Sequence, residues 1–97
     1  MAGDTITVVD NGGRPTHQVD LGRCRQRLTE VRAERDDIET TGAFAAVAGV
    51  SPPTASRFFA GGHRFRVGTV RRILRALGLR FEDVARPIAL AGAATAG

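Results

Sequence analysis

The sequence predicts an all-α domain of four to five short helices, preceded by a short N-terminal β-hairpin or a flexible arm. Three observations support this fold class: apolar residues recur at helical spacing, capping residues precede these segments, and glycines follow several of them. A chain of 97 residues has room for one compact domain. We expect this domain to span 20–87, between the arm or hairpin at 1–19 and a flexible Ala/Gly-rich tail at 88–97.

The N-terminal segment is β-prone and contains a turn signal. The stretch 6–10 is rich in β-branched residues, 11–15 begins with Asn-Gly, and 16–19 is able to pair back on the first stretch. Because an isolated two-stranded hairpin is marginally stable in water, a mobile arm is the alternative.

The first predicted helix begins after Asp20, which has a side chain suited to capping. Its apolar residues follow at spacings of three, four and three: Leu21, Cys24, Leu28 and Val31. This stripe predicts a helix from 21 to about 36. We expect Cys24 to serve as a small apolar residue of the stripe rather than as a reactive thiol.

The next two predicted helices are separated by a glycine. The first runs over 42–48 after a threonine cap, and Gly49 ends it because glycine adopts the left-handed conformation without a Cβ clash. Ser51 caps the following helix, about 52–60. Positions 52 and 53 are prolines, which lack an N–H group, so the Ser51 side chain can reach only the amide of Thr54.

The last part of the chain predicts a basic loop at 63–66 and two more helices. The fourth helix runs over 67–77 and ends at Gly78. A short closing helix covers 81–85, and Pro87 stops it.

Charged and aromatic side chains in this half have distinct expected places. The arginines of the fourth helix are expected to form a solvated face: Arg71, Arg72 and Arg75. The phenylalanines are expected in the core rather than stacked on bases: Phe58, Phe59, Phe65 and Phe81.

The charge of the chain is unevenly distributed. All 14 basic residues are arginine. Residues 1–50 carry six arginines and eight acidic residues, whereas 51–97 carry eight arginines and two acidic residues. A basic second half suggests a face turned toward a polyanion, and a solvated charged surface is the alternative.

The segment 44–59 carries the most specific pattern. Two closely crossing helices need a small residue at their contact, which Ala45 supplies, and the tight turn between them needs positive φ, which Gly49 supplies. Other positions should be buried in such a pair: Phe44, Ala48, Val50, Ala55 and Phe58.

Because of these residues, the segment from about Thr41 to Pro87 resembles the lambda-repressor-like DNA-binding domains, which are the Cro/CI-type (XRE-like) helix-turn-helix regulators. Its centre, 48–58, is also similar to the headpiece of LacI-type repressors, and 69–78 is typical of the fourth helix of the Cro/CI-type group. The resemblance implies a sequence-specific, repressor-like transcriptional regulator that binds double-stranded DNA with the helix at about 52–60 in the major groove.

The resemblance also implies roles for single residues. Arg57 would contact a guanine, and Ser56 a base or a phosphate. Thr54 and the amides near Ser51 would hold a phosphate at the helix N-terminus. Pro52 and Pro53 occupy positions at which relatives often carry polar side chains that contact bases. Fewer direct hydrogen bonds to bases are therefore expected, and DNA shape should contribute more to recognition. The full expected DNA-binding set is Ser51, Pro52, Pro53, Thr54, Ser56, Arg57, His63, Arg64 and Arg66.

Other classes of function find less support in the sequence. His17 and His63 have no partners at metal-ligand spacing, and neither a phosphate loop nor a catalytic constellation is present, so we expect no metal, no cofactor and no enzyme. An antitoxin or accessory module that binds a protein through its N-terminal segment is the alternative. The sequence leaves the oligomeric state open between a single chain and a homodimer, the form in which relatives commonly bind palindromes. With no apolar stretch long enough to span a membrane, we expect a cytoplasmic, nucleoid-associated protein.

Overall fold

The computed structural model describes residues 4–88, which form five helices and a four-stranded sheet. In chain order the elements are β1 (Thr5–Val9), β2 (Pro15–Asp20), α1 (Leu21–Glu34), α2 (Thr41–Ala48), α3 (Pro52–Ala60), β3 (Arg64–Arg66), α4 (Val67–Leu77), α5 (Phe81–Val84) and β4 (Ala85–Pro87). None of the helices in this range has the length and apolar character needed to cross a bilayer.

The helices begin and end at the local signals that the sequence carries. The Asp20 carboxylate accepts from the Gly22 amide at 3.0 Å and caps α1, and the Thr40 hydroxyl accepts from the Ala43 amide at 3.0 Å and caps α2. Gly49 and Gly78 end α2 and α4 in the left-handed conformation, with φ of 77° and 72°. The five helices are therefore confirmed, with α1 ending two residues earlier than predicted, at Glu34.

The sheet makes the all-α prediction incomplete. Residues 5–20 form the hairpin rather than a flexible arm, and β3 and β4 extend it to the order β3-β1-β2-β4. The segment 64–66, predicted as part of a basic loop, is strand β3, parallel to β1. The closing helix stops at Val84, and 85–87 forms strand β4, antiparallel to β2. Three-residue strands have too few residues for a periodic pattern, so their partners decide their conformation.

The inner face of the sheet and the helices share one core. Ile6 pairs with Val19, and Val8 lies beside Phe65, all four with side chains buried against the helices. Cys24 is fully buried among them, as its place in the apolar stripe predicts. At the far edge the Ile88 amide donates to the Thr16 carbonyl at 3.0 Å. The rest of the predicted tail, 89–97, lies outside the described residues.

Candidate nucleic-acid interface

The corner between α2 and α3 is built by Ala45 and Gly49. Ala45 is fully buried, and its carbonyl oxygen accepts from the amides of Gly49 at 2.9 Å and Val50 at 3.0 Å. A Cβ atom at Gly49 would meet nothing within 4 Å, so only the positive φ of 77° demands glycine here. Both parts of the predicted turn are thus confirmed.

The inner face of α3 is fixed by aromatic contacts. The Phe58 ring is fully buried and lies 5.2 Å from Phe59 and 5.7 Å from Phe65, centroid to centroid. Phe59 in turn lies edge-on to Phe44 at 5.5 Å. These rings join α3 to α2 on one side and to β3 on the other. The opposite face of α3, with Arg57, therefore stands in solvent.

The N-terminus of α3 is capped through hydroxyl groups. The Ser51 hydroxyl accepts from the Thr54 amide at 3.3 Å, as predicted, and lies 2.7 Å from the Thr54 hydroxyl. The Ala55 amide donates to the Ser51 carbonyl at 3.1 Å. Because the two intervening prolines have no N–H, the first four residues of α3 offer no free amide to a phosphate. A phosphate at this end would meet the Ser51 and Thr54 hydroxyls.

The C-terminus of α3 is held by residues far away in the sequence. Arg25, on α1, donates to the Phe59 carbonyl through Nε at 3.1 Å and Nη2 at 2.7 Å. The Gly62 amide donates to the Thr5 carbonyl at 2.8 Å, which ties the exit from α3 to β1. The sequence gives no local signal for either contact, because the partners are separated by 34 or more residues.

The arginines of α4 do more than form the solvated face that the sequence predicts. Arg72 is exposed and still donates to the Gly49 carbonyl at 3.3 Å, beside the α2–α3 turn. The Arg71 guanidinium lies 4.7 Å from the centroid of the Phe81 ring. The prediction is therefore correct for exposure and incomplete for contacts, since α4 also supports the turn.

The predicted site residues fall into two groups at the two ends of α3. Thr54 is half-buried, and the others are exposed: Ser51, Pro52, Pro53, Ser56, Arg57, His63, Arg64 and Arg66. The last three follow α3 and enter or form β3. Within residues 4–88, the guanidinium groups of Arg57, Arg64 and Arg66 make no hydrogen bond or ion pair. Their roles toward DNA stay predictions.

Two features bear on other chemistry in the described part of the chain: clusters of metal-ligating residues and the cysteine. No group of three or more His, Cys, Asp or Glu residues within 4–88 could hold a metal ion. Burial raises the pKa of the Cys24 thiol to about 12, an effect that desolvation dominates and the Asp20 carboxylate reinforces. The thiol is therefore protonated and unreactive near neutral pH.

The comparisons with known proteins agree with this geometry. A family model described as helix-turn-helix matches residues 31–84, which is more than half of the chain and includes α2, α3 and α4. No curated protein and no solved structure matches the chain. The similarity of 48–58 to LacI-type headpieces stays a prediction. The chain therefore belongs to the XRE-like, lambda-repressor-like helix-turn-helix family of DNA-binding regulatory domains.

Proposed function

We propose that the chain is a sequence-specific transcriptional regulator of the repressor type, with α3 in the major groove of double-stranded DNA. The observation that carries this proposal is Arg57, which is exposed on the outer face of α3 and has no side-chain partner among residues 4–88. By contrast, arginines elsewhere donate to backbone carbonyls inside the fold: Arg25, Arg27, Arg32 and Arg72. The fold thus uses those arginines, whereas the Arg57 guanidinium is among those that stay available to an external acceptor.

Arg57 is the base-reading residue of this proposal. Its planar guanidinium can donate two hydrogen bonds to O6 and N7 of one guanine, a pair of acceptors that only guanine presents in the major groove. Ser56 is exposed beside it and can contact a base or a phosphate. Pro52 and Pro53 are exposed at the start of α3 and offer apolar contact, for instance to a thymine methyl group. With so few polar side chains on α3, DNA shape contributes to the preference.

Phosphate contacts position α3 at both of its ends. The hydroxyls of Ser51 and Thr54 serve the N-terminal end, where the helix dipole also favours an anion. His63, Arg64 and Arg66 serve the C-terminal end, on β3 and just before it. We expect a homodimer to place two such units on half-sites about 34–36 Å apart.

The test is an equilibrium titration against a duplex that carries the preferred site and against single base-pair variants of it. Arg57→Ala should weaken binding to the preferred site by about 1–3 kcal/mol and remove discrimination at one base pair. Arg64→Gln should weaken all duplexes equally and flatten the salt dependence. Arg23→Gln, which removes an exposed charge on α1, is the matched control and should leave discrimination unchanged.

An unchanged preference in Arg57→Ala would contradict the assignment of base reading to α3. If the wild-type chain showed no preference among duplexes and co-purified with a neighbour-encoded protein, the antitoxin or accessory module would replace the regulator.

A further inference from the structure

The face of the sheet that points away from the helices carries a row of polar and basic side chains. In a strand, successive side chains point to opposite faces. Val8, Phe65 and Val19 are buried on the inner face, so their neighbours along the strands point outward. The pairing register then aligns one residue from each strand in a single row: Arg64, Thr7, Gln18 and Arg86.

This row is positively charged at both ends. Arg64 and Arg86 are exposed, and within residues 4–88 neither guanidinium group makes an ion pair or a hydrogen bond. Arg66 is also exposed and follows Arg64 by two residues, so it lies on the same face beside the row. Thr7 and Gln18 separate the two ends with neutral hydrogen-bonding groups. The row itself therefore contains no carboxylate.

Two carboxylates close to the row contact other groups of the fold. Asp4 and Asp20 line the same groove as Gln18 and Arg86. Asp4 lies 3.6 Å from the Arg25 guanidinium, and the Asp20 carboxylate accepts from the Gly22 amide that it caps. Neither forms an ion pair with Arg86. The guanidinium at this end of the row is thus available to an external anion.

From these observations we infer that the outer face of the sheet binds the sugar–phosphate backbone of the duplex, beside the groove that α3 occupies. The inference rests on the proposed function and extends the DNA contact to the N-terminal hairpin and β4, both of which lie outside the matched family region 31–84. Arg86 is the residue that this inference adds.

The length of the row suits contact with the sugar–phosphate backbone of DNA. Three strand spacings of about 4.8 Å separate the backbones at Arg64 and Arg86, so the row is about 14 Å long. Four base-pair steps of B-DNA cover about 14 Å of helix axis at 3.4 Å each, so the row is long enough to contact more than one phosphate of a strand. The face also adjoins α3, because the Gly62 amide and the His63 carbonyl bond to β1 directly after that helix.

The experiment measures the salt dependence of binding and the hydroxyl-radical footprint on a duplex that carries the preferred site. Arg86→Gln should make the slope of log K (the binding constant) against log[salt] less negative by about 0.9, the value for one lost phosphate contact. It should also remove protection from a stretch of backbone that Arg57→Ala leaves protected, with the preferred sequence unchanged. Arg23→Gln removes the same charge from an exposed position on α1 and should change neither the footprint nor the preferred sequence.

A second variant tests the same face with little change of shape. Gln18→Glu is isosteric and places a carboxylate between Arg86 and Thr7, so it should weaken binding to every duplex. The loss of affinity relative to the wild type should be largest at low salt, where the repulsion between the carboxylate and the phosphates is least screened. Thermal midpoints close to the wild type would establish that both variants are folded.

Equal slopes and footprints for Arg86→Gln, Gln18→Glu and Arg23→Gln would overturn the inference while leaving the proposed function intact. Failure of the wild-type chain to bind any duplex would overturn both.

Discussion

Gly49→Ala should destabilise the fold, because it places an L-residue in the left-handed conformation. Gly49→Ala introduces a Cβ that meets no atom within 4 Å, so the substitution carries no steric clash with the rest of the fold. Its φ of 77° remains, and an L-residue in this region costs about 1–2 kcal/mol. Alanine also restricts the unfolded chain, which offsets about 0.4–1 kcal/mol of that cost.

Gly68→Ala is the matched control for Gly49→Ala. Gly68 lies in α4 with an equally open environment, and its φ is not positive, so alanine there keeps the unfolded-state gain without the strain. The difference between the two variants isolates the cost of the left-handed backbone. At about 4–8 °C per kcal/mol for a domain of this size, Gly49→Ala should melt roughly 4–16 °C below Gly68→Ala.

The assay is thermal unfolding followed by circular dichroism, with Gly49→Asn as a third variant. Asparagine tolerates the left-handed region better than alanine, so its midpoint should lie between those of the wild type and Gly49→Ala. Equal midpoints for Gly49→Ala and Gly68→Ala would refute the explanation of this turn.

Two further predictions concern α1. Arg25→Gln removes both hydrogen bonds to the Phe59 carbonyl, so urea unfolding should show a free energy of unfolding lower by about 1–2 kcal/mol. The control Arg23→Gln should lower it by less than about 0.5 kcal/mol. Equal losses would contradict a role of Arg25 in holding the end of α3. Burial raises the pKa of the Cys24 thiol from 9.0 to about 12, which favours the protonated form in the folded state. The thiol should therefore react with a disulfide reagent at pH 8 only on unfolding, and rapid labelling of the folded chain would contradict this. The contribution of the protonated thiol to the free energy of unfolding should be complete below pH 9 and should be lost as the pH rises toward 12.

Local signals account for the parts of the fold that the sequence predicts. Asp20 and Ser51 satisfy amides within three residues, and Gly49 and Gly78 end helices through their own φ angles. Such interactions depend on neighbours in the chain, so residue type and spacing suffice to predict them. The burial of Cys24 follows in the same way from the apolar stripe of α1.

The parts that the sequence does not predict depend on distant partners. Strand β3 forms because Phe65 packs beside Val8, nearly sixty residues earlier, while both flanking arginines point outward. Strand β4 likewise needs β2. The contacts of Arg25 with Phe59 and of Arg72 with Gly49 join separate helices. The periodicity of apolar residues along the chain does not predict these strand pairs and helix contacts, because the partners are brought together only in the folded core.

Selection of bound duplexes from a random-sequence pool, run in parallel with the wild-type chain and Arg57→Ala, tests the central claim most directly. The account predicts an enriched motif for the wild type, with a guanine whose enrichment disappears in Arg57→Ala while the other positions persist. A pool without enrichment, or the same motif from both chains, would contradict the claim that α3 reads DNA through Arg57.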